Sequence, residues 1–142
     1  MLKDEIFFRA SGGGVTLSGG EVLMQAEFAA CFLRRLREWG IRTAIETAGD
    51  TAFSRFFPLA QACDEVLFDL KIMDEALARE QLRMNMPRVL DNFTRLVEAQ
   101  IPLIPRVPLI PGFTLNEENF RQILAFLAPF KLREIHLLPF HQ

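Results

Sequence analysis

The sequence contains no tyrosine, one tryptophan and only two cysteines, Cys31 and Cys63. Their separation matches no metal-ligand spacing, and a single pair does not make a disulfide framework. We therefore expect a reducing, cytoplasmic setting. Neither sign of charge dominates, since 16 Lys and Arg residues stand against 18 Asp and Glu residues. This balance excludes the large basic surface of a nucleic-acid-binding protein.

Long hydrophobic runs are also missing. No stretch reaches the roughly 18 apolar residues that a membrane-spanning helix needs. The most apolar segment, residues 101–113, contains four prolines, and proline disrupts the interior of a helix. The first residues, Met1 to Glu5, are acidic and do not resemble a secretory signal. We therefore expect no membrane partner.

Phenylalanine is the abundant aromatic residue. The chain has 14 phenylalanines, and 50% of its residues are apolar. Phenylalanine without tyrosine suits a dry core better than a hydrated recognition surface. The length of 142 residues predicts a single domain that spans residues 1–142.

Strand and helix patterns alternate along the chain. The predicted strands cover residues 15–17, 42–47, 65–71, 103–109 and 134–138, and the predicted helices cover residues 26–39, 52–62, 74–82, 88–99 and 116–127. Residues 4–9 look like the end of a further short helix. This alternation is typical of parallel βαβ units, and the apolar strands predict cover on both faces. The sequence thus predicts an α/β fold with about five parallel strands, either an open sheet or part of a barrel.

Polar residues interrupt this pattern at the carboxyl ends of the predicted strands. They are Gly19, Gly20, Glu21, Glu46, Thr47, Asp69, Lys71, Arg106 and His141. Ligands bind at this edge in parallel α/β folds, so we predict a site there, with Gly20, Glu46, Asp69, Lys71 and His141 on one concave surface. Parallel strands also end in polar loops without any ligand. His136 lies within a strand and is interpreted as a bystander.

Two features of this edge have both a structural and a functional interpretation. Residues 12–20 contain five glycines, which expose backbone groups to a ligand or simply form a flexible turn. No Gly-Lys-Ser/Thr follows them, so they are not a P-loop. Asp69 and Lys71 are two apart on one strand and share a face. They form either a plain ion pair or a pair that binds a polar cofactor.

Three stretches carry a family resemblance: GGGVTLSGGE at residues 12–21, DLK at 69–71 and LLPFH at 137–141. In this order and spacing they resemble the glycyl radical enzyme activating enzymes, which are radical S-adenosylmethionine (SAM) proteins. Residues 46–50, 63–74 and 104–113 fit the same likeness, which covers essentially the whole chain. The resemblance implies a partial (β/α)6 barrel that holds SAM and one [4Fe-4S] cluster. It also implies that a 5′-deoxyadenosyl radical takes a hydrogen atom from a glycine of a partner enzyme.

The resemblance also assigns site residues. Those that match SAM-contacting positions are Gly19, Gly20, Glu21, Asp69, Leu70, Lys71 and His141. Those that match positions around a monovalent cation are Glu46, Thr47 and Asp69. The implied partners are a glycyl radical enzyme of the pyruvate formate-lyase type and an electron donor such as flavodoxin or ferredoxin.

One motif of that family is missing here. The Cys-x-x-x-Cys-x-x-Cys loop that ligates the cluster does not occur, and Cys31 and Cys63 cannot replace it. We therefore expect a C-terminal portion of a longer enzyme, which by itself holds no cluster and is inactive. Because the first barrel strand would lie upstream, we also expect residues 15–17 to form a bare sheet edge that recruits other chains.

Two other functions remain open at this level. An α/β barrel enzyme could bind a sugar phosphate at the glycine-rich stretch. A non-catalytic module could dock a partner enzyme without performing chemistry. Protection by SAM or by phosphate against heating separates the first of these from the activase interpretation.

Overall fold

A computed structural model describes residues 7–11, 14–18 and 22–140. Within these residues one six-stranded sheet has the sequential strand order β1-β2-β3-β4-β5-β6. The strands are β1 (Phe7–Ser11), β2 (Gly14–Ser18), β3 (Arg42–Thr47), β4 (Glu65–Asp69), β5 (Leu103–Leu109) and β6 (His136–Pro139). Strands β2 to β6 are parallel. The predicted sheet of about five parallel strands is confirmed, and it curls into half of a barrel.

The helices connect successive parallel strands. They are α1 (Ala26–Glu38), α2 (Phe53–Ala62), α3 (Glu75–Leu82), α4 (Met86–Glu98) and α5 (Glu117–Leu127), with short 3-10 turns at Val22–Gln25 and Ala128–Phe130. Helices α3, α4 and α5 begin where the side chains of Asp74, Asn85 and Asn116 accept hydrogen bonds from backbone N–H groups of the first turn. No helix in the described ranges is long and apolar enough to cross a membrane.

The first strand corrects two predictions. Residues 4–9 were expected to end a helix, but Phe7–Ser11 forms β1, which pairs antiparallel with β2. Pairing with an adjacent strand overrides local helical periodicity in so short a segment. The prediction that residues 15–17 form a bare sheet edge is also wrong, because β1 pairs with all of β2.

The two faces of the sheet differ in burial. One face packs under the helices, and its residues Leu17, Ile45, Val66, Phe68 and Val107 are at most 1% exposed. The opposite, concave face is only half-buried along β3, β4 and β5, apart from Ile104 at 8% exposure. Cover on both faces was expected, and that expectation is wrong for this sheet. Half a barrel has no opposing wall to cover its inner side.

Phenylalanine rings form the centre of the buried layer. Phe93 of α4 lies edge-on to Phe68 of β4, with ring centroids 5.1 Å apart. It also contacts Phe126 of α5 and Phe130, each at 5.3 Å, while Phe56 of α2 lies 6.1 Å from Phe68. These contacts hold three helices against β4, and they fit the dry core that the composition predicts.

Candidate functional site

Three charged side chains meet on the concave face near the carboxyl ends of β3, β4 and β5. The strand register pairs Asp69 with Arg106 and puts Glu46 beside Leu67, two positions before Asp69. Arg106 Nε donates to Asp69 Oδ1 at 3.0 Å, and Arg106 Nη1 donates to Glu46 Oε1 at 3.2 Å. The three side chains are only 13–21% exposed. One guanidinium therefore links two carboxylates across three strands.

Burial controls the electrostatics of this cluster. It raises the pKa of Asp69 above the ordinary value, although the charges of Arg106 and Lys71 act in the opposite direction. Burial lowers the pKa of Arg106, but the Asp69 and Glu46 carboxylates outweigh this effect and raise that pKa. Arg106 therefore stays charged, while Asp69 holds a proton more readily than an exposed aspartate does.

Lys71 lies just beyond the end of β4. The Leu70 N–H donates to the Arg106 carbonyl, which extends the strand pairing by one residue. Lys71 is half-buried, and its charge lowers the pKa of Asp69. Asp69 nevertheless forms its ion pair with Arg106, and Lys71 has no ion pair with any residue that the structure describes. The plain Asp69–Lys71 pair is therefore not formed.

Thr47 lies on the other side of the sheet from Glu46. It is 3% exposed and follows the alternation that buries Thr43 and Ile45 under the helices. Its Oγ1 accepts a hydrogen bond from the Gly49 N–H at 3.0 Å. Within the described ranges, no three His, Cys, Asp or Glu residues are grouped to hold a metal ion. The monovalent cation near Glu46, Thr47 and Asp69 stays a prediction.

Helix α4 fixes the loop that follows β3. Asn92 is buried, and its Nδ2 donates to the carbonyls of Gly49 at 2.8 Å and Thr51 at 2.7 Å. Arg88 donates two hydrogen bonds to Asp50, at 2.9 and 2.6 Å. The chain just beyond Glu46 is therefore held in one conformation by a helix far along the sequence.

The remaining predicted site residues are placed differently. Leu70 is fully buried, so its side chain belongs to the core. The other four, Gly19, Gly20, Glu21 and His141, lie outside the described residues. Their roles, and the sharing of one concave surface by Gly20 and His141 with Glu46, Asp69 and Lys71, stay predictions.

The structure gives one residue a place in the site that the sequence did not predict, and it puts a second residue on the same face. Arg106 was included among the polar strand ends, but no site role was assigned to it, and it is the centre of the cluster. His136 was set aside as a bystander, yet the register pairs it with Arg106, so it shares the concave face. Its Nε2 lies 3.1 Å from Glu134 Oε2. The signal that could have found both residues is a polar side chain at matching positions of adjacent apolar strands.

The cysteines do not fit a cluster site. Cys31 is exposed on α1, and Cys63 is buried before β4, at the opposite end of that strand from Asp69. The Cys63 thiol donates to the carbonyls of Ala60 and Glu65, both at 3.3 Å. Burial raises its pKa to about 12. A cluster needs thiolates gathered at one place, and neither position provides this.

We expect thiol-specific alkylation to modify Cys31 rapidly and Cys63 very slowly. Near pH 8, a thiol with a pKa of about 12 is ionised in about one molecule in ten thousand, and burial also blocks the reagent. Mass spectrometry of the folded chain should therefore show one label, and Cys31→Ser should remove it. Rapid double labelling without denaturant would contradict this placement of Cys63.

The comparisons with known proteins agree with this fold. A crystallised domain of pyruvate-formate lyase-activating enzyme from Bacteroides vulgatus ATCC 8482 matches with a TM-score of 0.78 and 33% identity, over 92% of this chain and 83% of that domain. The chain belongs to the pyruvate formate-lyase-activating enzyme family. Streptococcus suis SuiB bound to S-adenosylmethionine shares only the fold, with a TM-score of 0.71 and 16% identity over 89% of this chain and 29% of SuiB.

Curated relatives extend this family assignment. The pyruvate formate-lyase 2-activating enzyme of Escherichia coli (strain K12) is 65% identical over 142 residues, which are 100% of this chain and 49% of that protein. The trans-4-hydroxy-L-proline dehydratase activating enzyme of Clostridioides difficile is 34% identical, over 98% of this chain and 47% of that protein. The chain thus spans about half the length of the curated relatives it matches. No protein-family model matches it.

Family membership confirms the resemblance to glycyl radical enzyme activating enzymes. It favours the activase interpretation over the sugar-phosphate enzyme and the non-catalytic docking module, since these relatives are all named as activating enzymes. The half-length match also agrees with a chain that represents part of a longer protein.

Proposed function

We propose that this chain is the C-terminal, SAM-binding part of a radical SAM activase that acts in the cytoplasm. The whole protein would install a glycyl radical on a partner enzyme of the pyruvate formate-lyase type, with flavodoxin or ferredoxin as electron donor. Similarity to the E. coli relative supports this proposal. The half-barrel shared with a family domain supports it as well.

The observation that carries the proposal is the unequal pairing of charges on the concave face. Arg106 is hydrogen-bonded to both Glu46 and Asp69, whereas the half-buried Lys71 lacks an ion-pair partner within the described ranges. An ammonium without an ion-pair partner can form charge-assisted hydrogen bonds with an anionic ligand. SAM carries a carboxylate that Lys71 would hold. It also carries an ammonium and ribose hydroxyls that can donate to carboxylate oxygens not used by Arg106.

The residues of this chain would bind and orient SAM. The reducing electron comes from an iron–sulfur cluster in the family that the sequence resembles, and the cysteines of this chain do not fit such a cluster. Its ligands would therefore lie elsewhere in the whole protein. Arg106 offsets part of the negative charge of Asp69 and Glu46, and both carboxylates would accept hydrogen bonds from SAM.

We predict that Lys71→Met in the whole enzyme weakens equilibrium binding of SAM by about tenfold or more. The reason is the loss of a charge-assisted hydrogen bond to the SAM carboxylate. Lys131→Met is the matched control, because Lys131 is exposed beside Leu103 and Glu65, at the opposite end of the strands. Calorimetric titration gives both affinities. Equal affinities for the parent and Lys71→Met would reject the role of Lys71.

A direct test of the activity uses the E. coli relative as the host. Replacing its matching region with these 142 residues should give a protein that generates a glycyl radical on the partner enzyme, detected by electron paramagnetic resonance. The chain alone, treated with iron and sulfide under anaerobic conditions, should yield no 5′-deoxyadenosine. A folded chimera that binds SAM but never forms the radical would argue against an activase.

A further inference from the structure

Asn119 lies in the first turn of α5. Both polar atoms of its side-chain amide form hydrogen bonds with backbone groups of two other segments. Its Nδ2 donates to the Lys71 carbonyl at 2.7 Å and to the Thr114 carbonyl at 3.0 Å. Its Oδ1 accepts from the Met73 N–H at 2.8 Å. The residue is 6% exposed, and its own N–H donates to the cap residue Asn116 at 2.8 Å. A buried amide with this set of partners has one allowed orientation.

These bonds replace strand pairing at the point where the chain leaves the sheet. The backbone pairing of β4 with β5 ends at Leu70, whose N–H donates to the Arg106 carbonyl. From there, Asn119 binds the carbonyl of Lys71 and the N–H of Met73. Fixing the backbone on both sides of Ile72 also fixes the direction in which the Lys71 side chain leaves the backbone.

Side-chain packing anchors only the inner side of this junction, where Leu70 and Ile72 are 0% and 4% exposed. A cavity of about 260 Å³ adjoins Asn119 and is lined by Ile72, Leu77, Gly112 and Phe113. Phe113 and Leu77 are 50% and 44% exposed, so they do not clamp the segment. Packing therefore holds the side chains of Leu70 and Ile72, whereas the hydrogen bonds of Asn119 hold the backbone carbonyl of Lys71 and the N–H of Met73.

The loop after β5, which contains the Thr114 carbonyl that Asn119 binds, is itself held by hydrogen bonds. Thr114 is 2% exposed, and its Oγ1 accepts from the Ile110 N–H at 2.8 Å and donates to the Pro108 carbonyl. The loop after β5 is therefore folded onto its own strand. Because Asn119 binds the Thr114 carbonyl as well, Lys71 is tied to β5 through the loop as well as through the sheet.

We propose that Asn119 is a positioning residue for Lys71. Through the backbone of residues 71–73 it holds the Lys71 ammonium on the concave face, where the ligand carboxylate would bind. This inference rests on the proposed function, in which Lys71 contacts SAM. Asn119 itself touches backbone groups and acts on the ligand only through Lys71.

A double-mutant cycle on SAM affinity tests the inference in the whole enzyme. We expect Asn119→Ala to weaken SAM binding about fivefold when Lys71 is present and less than about twofold in the Lys71→Met background. A merely structural role would weaken binding by the same factor in both backgrounds. Asn119→Ser is the second variant if alanine unfolds the protein, because its hydroxyl can still donate to one carbonyl.

Asn92→Ala provides the matched control. Asn92 is 1% exposed and also donates to two backbone carbonyls, but at the loop after β3. Its effect on SAM affinity should be equal in the two Lys71 backgrounds. If Asn119→Ala also weakens SAM binding by the same factor in both backgrounds, the positioning role of Asn119 is overturned. The role of Lys71 in binding SAM would be unaffected by that result. An unchanged affinity of Lys71→Met would instead overturn the proposed function together with this inference.

Discussion

Gly49→Ala should lower the free energy of unfolding by about 3 kcal/mol, from the combined costs of a strained backbone and an overpacked core. Gly49 has φ of +71°, a conformation that residues with a Cβ atom rarely adopt. A Cβ atom there would also lie 2.3 Å from Cζ of Phe68. Phe68 is fully buried between Phe56 and Phe93, so its ring has little room to move away.

Gly40→Ala separates the two causes. Gly40 has φ of +73°, but a Cβ atom there would have no neighbour within 4 Å. It should therefore lose only about 1 kcal/mol, the backbone cost alone. Urea denaturation followed by circular dichroism measures both variants. Similar losses at the two glycines would show that Phe68 does not restrict the loop after β3.

Arg106→Met should destabilise the fold by about 3 kcal/mol at neutral pH, because it leaves the Glu46 and Asp69 carboxylates partly buried without their shared cation. The matched control is Arg79→Met, which removes an exposed pair with Glu75 on α3. That pair should contribute less than about 0.5 kcal/mol. Losses of similar size in the two variants would mean that the concave-face cluster is effectively solvated.

The stability that Arg106→Met loses relative to the parent should increase with pH. Because burial raises the pKa of Asp69 above 3.8, the folded state binds its proton more tightly than the unfolded chain. Stability therefore falls as the pH rises from that ordinary value through the raised one. Arg106 opposes the rise of this pKa, so removing it extends the window upward. Arg106→Met should accordingly lose more stability at pH 8 than at pH 5.

A triple variant tests whether uncompensated charge is the cause. Glu46→Gln and Asp69→Asn, added to Arg106→Met, remove all three charges and keep nearly the same shapes. Much of the lost stability should return, since replacing a whole buried ion cluster costs less than breaking it. If the triple variant is no more stable than Arg106→Met, uncompensated carboxylate charge is not the cause of the loss.

The sequence by itself determined the alternation of strands and helices from β2 onward and the family. Strands β3 and β5 have their predicted bounds, and α5 begins after the predicted cap Asn116. These features depend on neighbours a few residues apart, so periodicity and capping reveal them. The family resemblance rests on short contiguous motifs, which the comparisons confirm.

The tertiary structure alone decided which polar groups meet. Arg106 binds Glu46, which is 60 residues away, and Asn119 binds Lys71 and Met73, which are 48 and 46 residues away. Strand β1 likewise became a strand only through its pairing with β2. Such contacts depend on the register between strands and on how helices pack against them. Local patterns along the chain carry neither of these, so the partner of each charge is decided only when the sheet has formed.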